Sequence, residues 1–308
     1  MPPATETAAA ISRGFEAAGC EATLHAVALS SGAQIGLRPD VPMVMASVFK
    51  PLVALEFYAQ SEAGLLDPTE PVEVTPVHAT PGPVGLSIAE DPARLSLRDL
   101  ARLMLTVSDN AATDILTRRV GLERVNARAR ACGCDATVLG SDLATMLDGV
   151  AAELGWRSYG ELIEAQSGRL GADARARSTD PARLDRLAAL DPQRASRTTA
   201  RDMTTLLAAV WADTGAAPEA CRRLRQAMSQ QVTRRLEPAT PDGGGLAAKS
   251  GGLFGRVRNE IGVITWPGGE HYAVAVFTRA RHPFVGAAAI NAQIGEAARL
   301  AIAALRSA

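Results

Sequence analysis

The sequence predicts an α/β (α+β) protein: a five-stranded antiparallel sheet flanked by terminal helices, with a large all-helical body inserted. Three observations predict this. Two strand-like segments sit near the N-terminus and three near the C-terminus. The chain between them reads mostly at helical period. Helical segments also open and close the chain, so strands from both ends can form one sheet with those helices packed on it. The division expected is 1–46 together with 240–308 for the sheet body and 47–239 for the helical body. The active site is expected in the cleft between them.

Residues 4–18 form the first helical segment, ending at Gly19. Residues 21–30 read as a mostly apolar strand, and the Ser30-Ser31-Gly32 turn leads to a second strand at 33–37. From Ser47, the residues Val48, Leu52, Leu55 and Tyr58 recur at helical spacing, and Gly64 ends the run. Residues 65–84, rich in Pro, Thr and Val, read as loop with short extended pieces. Ser96 is a predicted N-cap for a helix that turns Leu97, Leu100, Leu103 and Met104 inward. Helices follow near 110–119, 121–131, 141–155 and 158–166. The stretch 167–199 carries Asp, Arg and Pro, with a short helical run at 181–190. Helices at 202–213 and 218–230 precede a loop at 238–245. Three strands follow, at 246–250, 256–266 and 271–279, the last two joined by Pro267-Gly268-Gly269. An Ala-rich helix at about 285–306 closes the chain.

Composition narrows the function. The chain has 308 residues, 47% of them apolar and 21% charged, enough to bury a large core. No apolar run reaches membrane-spanning length, so no membrane partner is expected. The first residues hold Glu6, Arg13 and Glu16 and lack the pattern of an export signal. The expected location is cytoplasmic as written, or periplasmic or secreted if a signal has been trimmed. A net charge of -1 argues against a nucleic-acid binder. The pairs Arg118-Arg119, Arg222-Arg223 and Arg234-Arg235 read as solvated helix faces. Cys20, Cys132, Cys134 and Cys221 read as reduced core thiols. The four histidines are scattered, and neither HExxH nor CxxC occurs, so no metal and no cofactor is expected. The expected state is a monomer.

Of the 32 basic residues only Lys50 and Lys249 are lysine. A desolvated lysine can lose its proton, which arginine does not do. Both stand in motifs. In Ser47-Val48-Phe49-Lys50, Ser47 and Lys50 share a helix face, giving a nucleophile and its base within one turn. Lys249-Ser250-Gly251-Gly252, at a strand end, offers a cation, a hydroxyl and two residues without side chains. The run Gly243–Ser250 imitates a phosphate loop, but Ala248 replaces its required glycine and a strand follows instead of a helix. The third element is Ser108-Asp109-Asn110, after an apolar helix. An ordinary Ser-His-Asp hydrolase is disfavoured, because no G-x-S-x-G occurs.

S-x-x-K, S-D-N and K-S-G in that order resemble the class A serine β-lactamases and the penicillin-binding proteins. The likeness extends to Arg197–Met203 and to the paired segments Arg258–Val263 and Tyr272–Phe277, covering about residues 10–306. The resemblance implies a helical domain set in an antiparallel α/β domain. It implies a small-molecule β-lactam or acyl-amide substrate that acylates Ser47 and is then hydrolysed. Lys50 would be the general base or part of a base relay. Ser108 would pass a proton to the leaving nitrogen, Asn110 would hold the substrate amide, and Lys249 would hold Ser108 and the substrate carboxylate. Ser250 would bond that carboxylate, with Arg258 or Arg256 assisting. The N–H groups of Ser47 and Gly252 would form the oxyanion hole.

One part of the family pattern is missing. Class A enzymes carry a Glu in an omega-type loop that activates the deacylating water. No Glu occurs between Glu164 and Glu219. Asp180, Asp185 and Asp191 are the carboxylates there, and Asp191-Pro192 imitates a Glu-Pro context. Asp191 is therefore the substitute expected, with Glu161 or Glu164 folding in as the alternative. The missing Glu favours two further readings: a D-amino-acid peptidase or esterase of the same fold, and a slowly deacylating β-lactam trap or sensor.

Overall fold

The computed structural model describes residues 4–307. The elements run α1 (Ala4–Ala17), β1 (Cys20–Ala28), β2 (Gln34–Leu37), β3 (Met43–Val44), α2 (Lys50–Glu62), β4 (Pro71–Val74), β5 (Ala93–Ser96), α3 (Leu97–Thr106), α4 (Asn110–Val120), α5 (Leu122–Ala131), α6 (Leu143–Glu153), α7 (Tyr159–Gln166), α8 (Ala172–Thr179), α9 (Pro181–Leu184), β6 (Arg197–Thr198), α10 (Ala200–Trp211), α11 (Pro218–Ser229), β7 (Gly245–Leu253), β8 (Val257–Thr265), β9 (His271–Ala280) and α12 (Ala287–Arg306). No helix among the described residues is long and apolar enough to cross a membrane.

Five strands form one antiparallel sheet in the order β2-β1-β9-β8-β7. Strand alternation gives it two apolar faces. Tyr272, Val274 and Val276 of β9 pack with Ile11 and Phe15 of α1 and with Ile290, Ile294 and Ile302 of α12. Ala273, Ala275 and Phe277, the intervening residues, join a core with Leu52, Leu55, Met104, Leu116, Met203 and Leu207 from the helical block. The helical block therefore closes directly on the sheet.

Local chemistry explains several elements. The Ser96 side chain accepts from Asp99 N and caps α3, as expected. Asp109, Asp142, Ser158 and Thr199 cap α4, α6, α7 and α10 in the same way. Val48, Leu52, Leu55 and Tyr58 are buried.

Three local expectations change. The Ser47 segment begins as a 3₁₀ turn, Ala46–Phe49, and α2 starts only at Lys50. Residues 172–179 form α8, a polar helix whose weak apolar period hid it in the sequence. The Lys249-Ser250-Gly251-Gly252 run lies inside β7, because the strand continues through both glycines to Leu253.

Candidate active site

A cleft of about 750 Å³ opens between β7, the α3–α4 junction and the segment around α7. Ser47, Ser108, Asn110, Ser250, Gly252 and Arg258 all line it. Four non-glycine residues on its wall, Ala46, Ser108, Phe254 and Phe284, have positive φ (46°, 67°, 44° and 63°). Such conformations cost on the order of 1–3 kcal/mol each and concentrate where function holds the backbone.

Ser47 is placed from two sides. Lys50, one turn on, gives its backbone N–H to Ser47 O. From the other side, β7 presses on the serine turn. A Cβ on Gly251 would stand 3.1 Å from both Met45 O and Ser47 N. A side chain there would force the strand or the serine turn to give by a few tenths of an ångström, and Ser47 and Gly252 both line the cleft beside this contact. Below, the Asn259 side chain of β8 donates to Val44 O (2.9 Å) and Met45 O (3.1 Å). Its Oδ1 accepts from Thr278 N of β9 at 3.0 Å. Asn259 is fully buried and ties the approach to Ser47 onto the sheet.

Lys50 is fully buried. Its Nζ donates to Ser108 O (2.7 Å), Ser108 Oγ (3.1 Å) and Asn110 Oδ1 (3.0 Å). Burial lowers its pKa to about 7, against the opposing pull of Asp109 and Asp114. A lysine with that pKa holds a substantial neutral fraction at neutral pH. Ser47 is not among its partners here; Lys50 is held by the Ser108–Asn110 turn.

Asp109 sets that turn. Its carboxylate accepts from Ala112 N (3.0 Å), from Ser87 Oγ (3.3 Å) and from Leu86 N. It thereby caps α4 and fastens residues 86–87 to the start of that helix, next to the segment 81–84 that lines the cleft. Gly85 has φ of +65°, and a Cβ there would collide with this carboxylate. Asn110 Nδ2 donates to Pro81 O at 2.9 Å, so both ends of its amide are engaged in this structure.

Lys249 sits differently from expectation. It is fully buried, donates to Gln231 Oε1 (3.1 Å) and Ser250 O (3.0 Å), and makes no hydrogen bond to Ser108. Strand alternation puts the Lys249 side chain on the face that Gly251 turns toward Ser47, where it is fully buried, while Ser250 lines the cleft. Burial and the nearby Lys50 hold its pKa well below that of a free lysine.

Of the two arginines expected, Arg258 is at the cleft and Arg256 is not. Arg256 is buried away from the cleft, paired with Asp185 and bonded to Ala280 O and Arg281 O. Arg258 lines the cleft, with Nε held by Asn291 at 2.8 Å. Arg235, read as part of a solvated helix face, is instead half-buried at the cleft wall. Its Nη1 donates to Gly251 O (3.0 Å) and to Asn259 O. Burial lowers its pKa to about 10, so it stays cationic at neutral pH. The sequence shows only a charged pair there; it gives no sign that the chain after α11 folds back under β7.

The carboxylate expectation is also corrected. Asp191 does not line the cleft; it accepts from Gln193 N (2.9 Å) and Arg194 Nε (3.0 Å) at the surface. Glu161 is held by Arg157, and Glu164 lines a separate surface groove. From α7, the residues that reach the cleft are Tyr159, Ile163 and Gln166. The one carboxylate lining it among the described residues is Asp142, which caps α6 through Thr145 N (3.0 Å) and pairs with Arg118 (2.9 Å).

Comparison with known proteins identifies the family and the fold. Residues 5–305 match the model of the Beta-lactamase enzyme family. A relative from Streptomyces cacaoi, the β-lactamase regulatory protein BlaB, is 32% identical over 289 residues, covering 88% of this chain and 89% of BlaB. Two solved structures share the fold. A β-lactamase from Sphaerobacter thermophilus superposes with a TM-score of 0.76 at 24% identity, over 100% of this chain and 99% of its own. A point mutant of PBP-A, solved as an acyl-enzyme complex with penicillin G, gives 0.74 at 21% identity, over 100% of both chains. The chain belongs to the Beta-lactamase enzyme family, and its fold is that of the class A β-lactamases and PBP-A.

Proposed function

We propose that this protein is acylated at Ser47 by a β-lactam and releases the acyl group slowly, so that it works as a β-lactam-binding or sensing protein. Ser47 Oγ attacks the lactam carbonyl and forms an ester as the C–N bond breaks. Neutral Lys50 takes the hydroxyl proton, directly or through Ser108, to which it is bonded. Ser108 delivers a proton to the departing nitrogen. The N–H groups of Ser47 and Gly252 receive the charge on the carbonyl oxygen. Ser250 and Arg235 receive the substrate carboxylate, with the buried Lys249 adding positive charge next to them in the same strand as Ser250.

The observation that carries this reading is the asymmetry of the cleft. The acylating groups converge on it, whereas its one carboxylate among the described residues, Asp142, is already committed to a helix cap and an arginine. A general base for the deacylating water needs a free basic group within reach of that water. The relative BlaB is named as regulatory, which fits the same reading.

Intact-protein mass after mixing with penicillin G, with colour followed in parallel from a chromogenic cephalosporin, tests it. A long-lived adduct on Ser47 with little colour is expected. Rapid colour without a lasting adduct would establish a hydrolase and overturn slow release. Neither adduct nor colour would remove β-lactams as ligands.

A further inference from the structure

Behind the cleft lies a buried polar chain that the acylation chemistry does not use. Glu260 of β8 is fully buried, yet no ion pair joins it to a cation among the described residues. Its Oε2 accepts from Leu236 N at 2.6 Å, the residue after Arg235. Its Oε1 accepts from Gln231 Nε2 at 3.0 Å. The other end of the same Gln231 amide, Oε1, accepts from Lys249 Nζ (3.1 Å) and from Ser250 N (2.7 Å). One buried carboxamide thus links a carboxylate to an ammonium and also fixes the cleft strand.

The register explains why a bridge is needed. β7 pairs Ser250 with Glu260 and Lys249 with Ile261. Paired residues share a face and successive residues alternate, so Lys249 and Glu260 leave opposite faces of the sheet. They cannot meet through it. β7 is the edge strand, and Gln231 reaches around that edge to join them.

We propose that Glu260 is a positioning residue for the cleft: it fixes Arg235 through the adjoining main chain and, through Gln231, keeps the buried Lys249 ammonium charged beside Ser250. The charges around it fit that role. Lys249 faces Lys50 of α2 and Arg235, both repelling its proton, and Glu260 is the carboxylate that favours it. Glu260 in turn faces Arg235 and Lys249; burial raises its pKa to about 7 while both cations draw it down. Arg258 adds a further positive charge beside Arg235. Without the Glu260 charge, Lys249 is a buried cation among cations, and losing its proton is the cheapest relief. The benefit to the cleft rests on the reading that its ligand carries a carboxylate.

The chain has only two lysines, so the test is direct. Lysine labelled with ¹³C at Cε gives two resonances, whose titrations report the two charges with no ligand present. Lys249→Arg removes one resonance and assigns the other. In Glu260→Gln, which keeps an acceptor for Leu236 N, the Lys249 midpoint is expected to fall by at least about one pH unit, tenfold in proton affinity. Gln231→Met, which leaves Glu260 ionisable and cuts the bridge, is expected to lower it as well. An unchanged Lys249 midpoint in both variants, or in the one that folds, would overturn the proposal. A merely structural Glu260 would change the melting temperature without moving that midpoint. Failure of the wild-type protein to form a penicillin adduct would strike the preceding reading alone, and the lysine titration would still decide this one.

Discussion

The Asn259 carboxamide donates to the Met45 carbonyl at 3.1 Å, two residues before Ser47, and so fastens the nucleophile's turn to the middle of the sheet. Asn259→Ala leaves the Val44 and Met45 carbonyls and the Thr278 amide without their partner. A buried polar group left unpaired costs about 1–3 kcal/mol. The variant is expected to lose about 3 kcal/mol, read as a lower denaturant midpoint, and to acylate at least about tenfold more slowly. Unchanged stability would show that water or a shifted backbone replaces the amide.

Lys50→Arg keeps a cation near the Ser108–Asn110 turn but removes the base. Acylation is expected to slow by about 10²–10⁴. In the wild-type protein the rate constant should rise with pH through about 7, because Lys50 acts in its neutral form and its pKa is about 7. A rate independent of pH from 5 to 8, measured by stopped-flow with penicillin G, would exclude Lys50 as the group that takes the proton. Ser47→Ala should form no adduct.

Gly251→Ala places a methyl 3.1 Å from Ser47 N and Met45 O and 3.2 Å from Ala46 Cβ. The collision is with backbone, which yields less easily than a side chain end. Since the space lies between β7 and the serine turn, the change is expected to reach acylation before stability. A drop of about tenfold or more in the acylation rate, with a small change in melting temperature, is the result expected.

Gln166→Glu puts a carboxylate into the cleft from α7. If slow release reflects the absence of a free base, this change should shorten the adduct's life, by about tenfold or more, while leaving its formation nearly unchanged. Decay of the mass adduct after removal of excess penicillin measures it. An adduct equally long-lived in both proteins would place the block on water elsewhere.

The site was legible in the sequence where its chemistry is local. Ser47 and Lys50 stand one turn apart, and Ser108, Asp109 and Asn110 make one turn, so spacing alone relates them. The sheet was legible because apolar segments at the two ends of the chain have too little polar surface to stand alone. Arg235, Gln231, Asn259 and Glu260 were not legible. Each works through a main-chain or amide contact with a segment distant in sequence, and no local pattern marks a polar residue that the fold will bury. Lys249 was found but its partner was not: Gln231 lies 18 residues earlier, on the connection after α11. Asp191 misled for the converse reason. Its neighbour Pro192 matched a local pattern, but Gln193 N and Arg194 satisfy the carboxylate at the surface.

Ala46, Ser108, Phe254 and Phe284 carry a conformational cost that the rest of the chain offsets. A selection for heat resistance alone would therefore find easy gains at these four positions. Glycine relieves a left-handed backbone wherever the lost side chain is not needed for packing. Lineages that took those gains would keep the fold and soften the rim that shapes the ligand. Directed evolution toward ruggedness should erode recognition here before it erodes folding.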